Sequence, residues 1–165
     1  MSEDILSVIP TDPHWQPTQQ AADRTVTLAR QLSHEDPDGL APGNAPAPDP
    51  DLQIDVDWYD APTPVDAGDN LERITCPHCA AQIPVTWFLD LLETHCETGF
   101  PTLATVVPCC DTATTLDALH YDWPCGFARF EIAVWNPEHV WFTDEQLTAL
   151  GAVLGHPVRQ IRAHI

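Results

Sequence analysis

Residues 72–88 read ERITCPHCAAQIPVTWF, and the Cys76-Pro77-His78-Cys79 motif at their centre decides how the fold is interpreted. A C-x-x-C pair is either a dithiol that makes and breaks disulfides or one half of a metal site. In a thioredoxin-type motif the helix begins at the first cysteine and continues without interruption. Pro84 would disrupt such a helix and fits better at the start of a new one. We therefore interpret the motif as half of a metal site.

The second half of the site is assigned to Cys109 and Cys110, which follow Pro108. Four thiolates from two turns complete a tetrahedral zinc site, and a complete coordination sphere leaves no position for an activated water. The zinc is therefore expected to be structural. The expected ligands are Cys76, Cys79, Cys109 and Cys110.

The same cysteines allow other ligands and other chemistries. Zinc turns usually space their ligands by two residues, so Cys125 or His120 stays open as a replacement for one of the adjacent pair. The run His95-Cys96-Glu97 is similar to part of the zinc deaminase signature, but that signature needs a cysteine where Thr112 stands. A thiol-disulfide oxidoreductase and a zinc-dependent hydrolase using the CPHC motif are the enzymatic alternatives.

An α+β fold is predicted from the order of strand and helix signals. They run β-α-β and then β-α-β, which is the ferredoxin-like βαββαβ arrangement of a four-stranded antiparallel sheet with two helices on one face. The expected limits are 4–9, 51–60, 126–136 and 158–165 for the strands, and 18–33 and 143–154 for the helices. Thr143 and Gln146 form a capping box. The segment 61–70, which contains two prolines, should end the second strand.

Every cysteine except Cys125 lies within residues 71–124. We interpret these residues as a zinc-ribbon-like module inserted between the second and third strands, so that 1–70 and 125–165 form the two halves of the α+β domain. Residues 35–51 contain five prolines and four aspartates with almost nothing to bury. They are therefore predicted to form a flexible loop.

Residues 119–130, LHYDWPCGFARF, are rich in aromatic side chains. Tyr121, Trp123 and Phe127 are expected to bury the module against the sheet domain. An ion pair between Asp122 and Arg129 would orient this joint.

The charge balance limits the partners. The chain has 25 acidic and six basic residues, a formal net charge of −19, and all six basic residues are arginine. Such a chain should repel nucleic acid and anionic membranes and attract a basic protein. No apolar run of membrane-spanning length occurs, and the acidic N-terminus does not fit a signal peptide, so a cytoplasmic protein is expected.

The motifs Cys76-Pro77-His78-Cys79 and Pro108-Cys109-Cys110, with LDALHYDWPCGFARF and LGHPVRQIRAHI further on, resemble an uncharacterised bacterial family. In that family a CPxC and a PCC motif lie inside an α/β domain. The resemblance spans most of the chain and implies a zinc-ribbon-like insertion, but it carries no known activity.

The sequence favours a non-enzymatic, acidic, zinc-stabilised interaction protein over the two enzymatic alternatives. An immunity or inhibitor protein against a basic toxin, or an adaptor, fits this description. The sequence assigns no catalytic or partner-binding residues and no oligomeric state.

Overall fold

The computed structural model describes residues 2–33, 51–65, 67, 70–138 and 141–165. The flexible loop predicted at 35–51 lies outside the described residues except for Asp51. In chain order the elements are β1 (Asp4–Pro10), α1 (Gln19–Leu32), β2 (Ile54–Val65), β3 (Ile74–Thr75), β4 (Gln82–Ile83), α2 (Val85–His95), β5 (Ala104–Val106), β6 (Ala113–Thr115), β7 (His120–Tyr121), β8 (Gly126–Trp135), α3 (Asp144–Leu154) and β9 (Val158–His164). None of the helices formed by these described residues is long and apolar enough to cross a membrane.

The large sheet has four strands in the order β2-β8-β1-β9, and each neighbouring pair is antiparallel. The predicted α+β class is therefore confirmed. Helices α1 and α3 pack against one face of this sheet. Their shared core consists of Leu6, Val8, Ala22, Ala29, Leu32, Phe130, Ile132, Val134, Phe142, Leu150 and Leu154. Each large side chain fully buried here contributes roughly 1.5–3 kcal/mol.

Local signals fix the ends of both helices. The Thr18 hydroxyl accepts from the Ala21 N–H at the start of α1. At α3 the Thr143 side chain accepts from the Gln146 N–H, while the Gln146 side chain accepts from the Thr143 N–H. Gly155 ends α3 with a φ of 98°, a left-handed conformation that glycine adopts without strain. The predicted capping box is therefore confirmed.

The prediction that residues 61–70 end the second strand is wrong, because β2 continues to Val65. The strand lies at an edge of the sheet, so only one of its sides needs backbone hydrogen bonds. Proline is tolerated on such a strand. The register shifts between Trp58 and Thr63, and pairing with β8 then resumes through Pro64 and Val65.

Residues 71–124 contain two smaller sheets, one in the order β4-β3-β7 and one formed by β5 and β6. Helix α2 begins at Val85 directly after Pro84, as the sequence predicted, and Gly99 follows it with a φ of 72°. A second core lies in this region. It consists of Ile74, Cys76, Ile83, Phe88, Phe100, Leu103, Val107, Leu116, Leu119, Cys125 and Phe127.

Among the described residues, ring contacts and hydrogen bonds join this region to the large sheet. The Phe127 ring, on β8, lies edge-on to Phe88 at 6.4 Å. The Trp123 indole N–H donates to the Arg162 carbonyl of β9 over 2.8 Å. The Phe100 N–H donates to the Pro62 carbonyl of β2 over 2.7 Å. The joint thus uses two of the aromatic residues expected for it.

The proposed pairing of Asp122 with Arg129 is not what holds this joint. Asp122 accepts from the Glu72 backbone N–H instead, at 3.1 Å. Arg129 donates to the carbonyl oxygens of Tyr59 and His14. Both side chains therefore tie backbone segments together.

Candidate metal centre

Four cysteine sulfurs come together from two turns that are distant in sequence. Cys76 and Cys79 lie in the turn between β3 and β4, and Cys109 and Cys110 lie in the turn between β5 and β6. All four sulfurs lie within 4.8 Å of one another. The Sγ atoms of Cys79 and Cys109 are 3.4 Å apart, and those of Cys76 and Cys110 are 3.9 Å apart. The four predicted ligands therefore form one cluster.

The first turn is closed by two backbone hydrogen bonds. The Cys76 N–H donates to the Ala81 carbonyl at 2.9 Å, and the Ala80 N–H donates to the Cys76 carbonyl at 3.1 Å. Ala80 has a φ of 62°, in the left-handed region. This bend turns the chain back and brings the Cys79 sulfur to the same side as the Cys76 sulfur.

The second turn repeats this backbone arrangement residue for residue. The Val107 N–H donates to the Thr112 carbonyl at 3.1 Å, and the Asp111 N–H donates to the Val107 carbonyl at 3.0 Å. Asp111 has a φ of 54°. Val107 therefore stands where Cys76 stands in the first turn.

The same comparison explains the adjacent cysteines. Cys110 corresponds to Cys79, and Cys109 corresponds to His78 at the tip of the turn. The second turn thus lacks a cysteine at its first position and supplies one at its third. Adjacent cysteines can both reach the cluster because the chain bends sharply just after them.

The donor set and its spacing fit a tetrahedral metal ion. A metal–sulfur distance of about 2.3 Å in a tetrahedral site places the sulfurs about 3.8 Å apart. The sulfur pairs Cys79–Cys109 and Cys76–Cys110, at 3.4 and 3.9 Å, lie on either side of that value. Soft thiolate donors in this geometry suit zinc or iron better than magnesium or calcium.

The electrostatics of the cluster also favour a cation. Hydrogen bonds from the backbone N–H groups of Cys79 and His78 lower the pKa of Cys76 to about 7. Desolvation, reinforced by the neighbouring thiols, raises the pKa of Cys109 to about 12. The opposed shifts mean that these sulfurs do not all ionise side by side without a compensating positive charge. A divalent cation would supply that charge and deprotonate all four.

Two neighbours complete the surroundings of the sulfurs. The His78 N–H donates to the Cys76 sulfur at 3.4 Å, and the Thr112 hydroxyl lies 3.1 Å from the Cys110 sulfur. Hydrogen bonds of this kind orient thiolate ligands. The sequence did not predict this contact of Thr112. The only signal for it is that Thr112 lies two residues after Cys110.

The alternative ligands lie outside the cluster. Cys125 is buried in the second core, and His120 is exposed on β7. Among the described residues, neither joins the group of four. His95 packs against Phe100 with ring centroids 4.5 Å apart and the rings tilted by 37°, which gives it a packing role.

The setting of the CPHC motif differs from that of a thioredoxin motif. The motif lies in a turn between two short strands, and α2 begins only at Val85. No helix starts at Cys76, so no helix dipole acts on its thiol.

Comparison with protein-family models, with curated proteins and with solved structures finds no match for this chain. The resemblance to an uncharacterised bacterial family therefore stays a prediction.

Proposed function

We propose that the four cysteines bind one structural zinc ion and that the protein is a non-enzymatic interaction protein. The observation that carries the proposal is the convergence of four sulfurs, from two matching turns, within 4.8 Å. Four thiolate ligands saturate a tetrahedral zinc ion, which leaves no position for water or substrate. The ion would hold the two turns together and so stabilise the core beneath them.

We further propose that the large sheet with α1 and α3 is a ferredoxin-like domain and that residues 71–124 form a zinc-ribbon-like insertion. The strand order β2-β8-β1-β9 and the two helices on one face support this assignment. The inserted residues fall between β2 and β8, which are neighbours in the sheet. A reducing cytoplasm fits a cluster of free thiols.

Carboxylates on the opposite face of the large sheet support the proposal of a basic partner. Asp57 pairs directly with Glu131, and Asp55 pairs directly with Ala133, across β2 and β8. Directly paired residues lie on the same face of a sheet. Because the neighbouring positions Ile54 and Val56 pack against the helices, these carboxylates face away from them.

Hydrogen bonds hold two of these carboxylates in place. The hydroxyls of Ser7 and Tyr59 donate to the two oxygens of Glu131 at 2.6 and 3.3 Å. The Trp135 indole N–H donates to Asp55 at 2.9 Å. Ordered carboxylates beside aromatic rings suit arginine side chains, whose planar guanidinium group pairs with carboxylates and stacks on rings.

The third carboxylate, Asp57, carries an electrostatic cost. Burial, together with the charge of Asp55, raises the pKa of Asp57 above its usual 3.8. A cation from a partner would relieve this cost. With a net charge of −19, the protein should associate quickly with such a partner, and association should slow steeply as salt is added.

A pull-down from the native host at low and high salt tests the partner. Recovery of a basic protein at low salt that is lost at high salt supports the proposal. Equal recovery in both conditions contradicts the role assigned to charge. The matched control is a variant with Asp55→Asn, Asp57→Asn and Glu131→Gln, which keeps side-chain size and should recover less partner.

A thiol-disulfide oxidoreductase is the second candidate, because the Cys79 and Cys109 sulfurs are only 3.4 Å apart. Thiol titration with and without a chelator separates the two. A structural site hides the four cluster thiols until zinc is removed, while the exposed Cys96 reacts throughout. An oxidoreductase instead shows a low-pKa reactive cysteine of the cluster without chelation. A zinc-dependent hydrolase would instead need an open metal position.

A further inference from the structure

The two turns expose their ligands unequally. In the first turn Cys76 occupies the first position and is 1% exposed. In the second turn that position belongs to Val107, which is 0% exposed. The ligand that replaces it is Cys109, at the exposed tip of the turn. Because a valine takes the place of a cysteine at this position, one ligand of the second turn lies at the surface and not in the core.

As a result, one edge of the cluster faces solvent. Cys79, Cys109 and Cys110 are all exposed, and the sulfurs of Cys79 and Cys109 are 3.4 Å apart. The other close pair, Cys76 and Cys110, includes the buried sulfur and is 3.9 Å apart. An oxidant in solution therefore reaches the Cys79–Cys109 edge first.

We propose that Cys79 and Cys109 form an oxidation-sensitive modification site, at which a peroxide joins the two sulfurs and releases the metal. The proposal rests on the zinc ion of the proposed function. Its role is to make the bridge between the two turns sensitive to oxidants, because each turn loses one ligand when the disulfide forms.

The reaction balances with peroxide as the two-electron oxidant. One thiolate attacks a peroxide oxygen, so that an S–O bond forms, the O–O bond breaks and hydroxide leaves. The second thiolate attacks the resulting sulfenic acid, so that the S–S bond forms, the S–O bond breaks and a second hydroxide leaves. Two protons from solvent convert both hydroxides to water. Only Cys76 and Cys110 would then remain to hold a zinc ion, which would weaken its binding.

Other cysteines compete poorly for this chemistry. Cys125 is buried, and Cys96 is exposed but lies outside the cluster. A disulfide between the adjacent Cys109 and Cys110 would close a small strained ring. Cys110 is exposed too, but its sulfur contacts that of the buried Cys76, at 3.9 Å. The described geometry therefore favours Cys79 and Cys109, two exposed cysteines whose sulfurs are in contact at 3.4 Å.

The test uses the full chain, purified under reducing conditions and then freed of reductant. Hydrogen peroxide is added stepwise while released zinc is followed with a chromogenic chelator. Cleavage before Asp90 separates Cys79 from Cys109, so a linked peptide pair is visible by mass spectrometry, and fragmentation identifies the joined cysteines. The matched control is Cys96→Ser, which removes an exposed cysteine outside the cluster.

The expected result is the loss of one zinc ion for each Cys79–Cys109 disulfide, unchanged in the Cys96→Ser variant. Zinc that stays bound in peroxide, or a disulfide between another pair, overturns this inference and leaves the proposed function intact. Absence of zinc from the reduced protein instead overturns the proposed function.

Discussion

Val107 takes the place in the second cysteine turn that Cys76 takes in the first. Each donates its N–H to the carbonyl five residues later and accepts at its own carbonyl from the N–H four residues later. Both are buried in the same core. The second turn therefore has the backbone of the CPHC turn, with a hydrophobic side chain in place of its first cysteine.

This equivalence predicts that the displaced ligand can be moved back. The double variant Val107→Cys with Cys109→Ala should bind one zinc ion, because a thiol at the first position faces the cluster as Cys76 does. Native mass spectrometry measures the stoichiometry. The single variant Cys109→Ala is the control and should bind zinc more weakly. Equal loss of zinc from both variants would show that the two turns do not correspond.

The left-handed conformation of Ala80 predicts a stabilising substitution. Ala80 has a φ of 62°, which glycine adopts without steric cost and alanine does not. Ala80→Gly should raise the free energy of unfolding of the metal-loaded protein by about 1 kcal/mol, since the strain relieved is larger than the entropy lost. Denaturant titration measures this value. Ala81→Gly, one residue later, should not stabilise, and a gain there would refute the explanation.

The contact between Gly99 and β2 predicts that alanine costs more stability at Gly99 than at Gly155. A Cβ atom on Gly99 would lie 3.1 Å from the Pro62 carbonyl oxygen and 3.2 Å from the Ala61 Cβ. Gly155 also has a positive φ, but a Cβ atom there meets nothing within 4 Å. Gly155→Ala should therefore cost about 1 kcal/mol through backbone strain alone.

Gly99→Ala adds overpacking to the same strain and should cost roughly 2–4 kcal/mol. Thermal and denaturant unfolding of both variants measure the difference. Similar costs for the two substitutions would mean that the segment after α2 does not pack tightly on β2.

The raised pKa of Asp57 predicts a pH-dependent effect on stability. Because burial and the Asp55 charge disfavour its carboxylate in the folded state, Asp57→Asn should stabilise the protein at pH 7, by less than about 1 kcal/mol at this partly exposed site. The gain should shrink as pH falls through the raised pKa and vanish below 3.8, where the unfolded chain is also protonated. Urea unfolding of both proteins between pH 7 and pH 3.5 measures the gain.

Asp122 provides a control of opposite sign. Backbone N–H groups of Arg73 and Glu72 lower the pKa of its carboxyl. Asp122→Asn should therefore destabilise the protein at pH 7, and the deficit should shrink as pH falls below 3.8 through the lowered pKa. Variants that respond to pH in the same direction would contradict these electrostatic assignments.

Much of the sheet domain could be predicted because its signals are local. Thr143 with Gln146 marks the start of α3, and Gly155 marks its end. The continuation of β2 through its prolines could not be predicted, because it depends on β2 being an edge strand. That position is set by long-range pairing, which the local sequence does not contain.

The four cysteines were also predicted, since C-x-x-C spacing is a local signal. The reason that Cys109 and Cys110 are adjacent was not predicted. The two turns correspond through their backbone hydrogen bonds, which the spacing of the cysteines does not reveal. The shared prolines Pro77 and Pro108, each preceding the tip of its turn, could have revealed it. The polar contacts of Glu131 with Ser7 and Tyr59 join three strands and left no trace in the linear sequence.

X-ray absorption at the zinc edge, on protein purified without added metal, tests the four-cysteine zinc site directly. The expected result is one zinc ion per chain surrounded by four sulfur atoms at about 2.3 Å. A protein without zinc, or a zinc ion with an oxygen ligand from water, would contradict it.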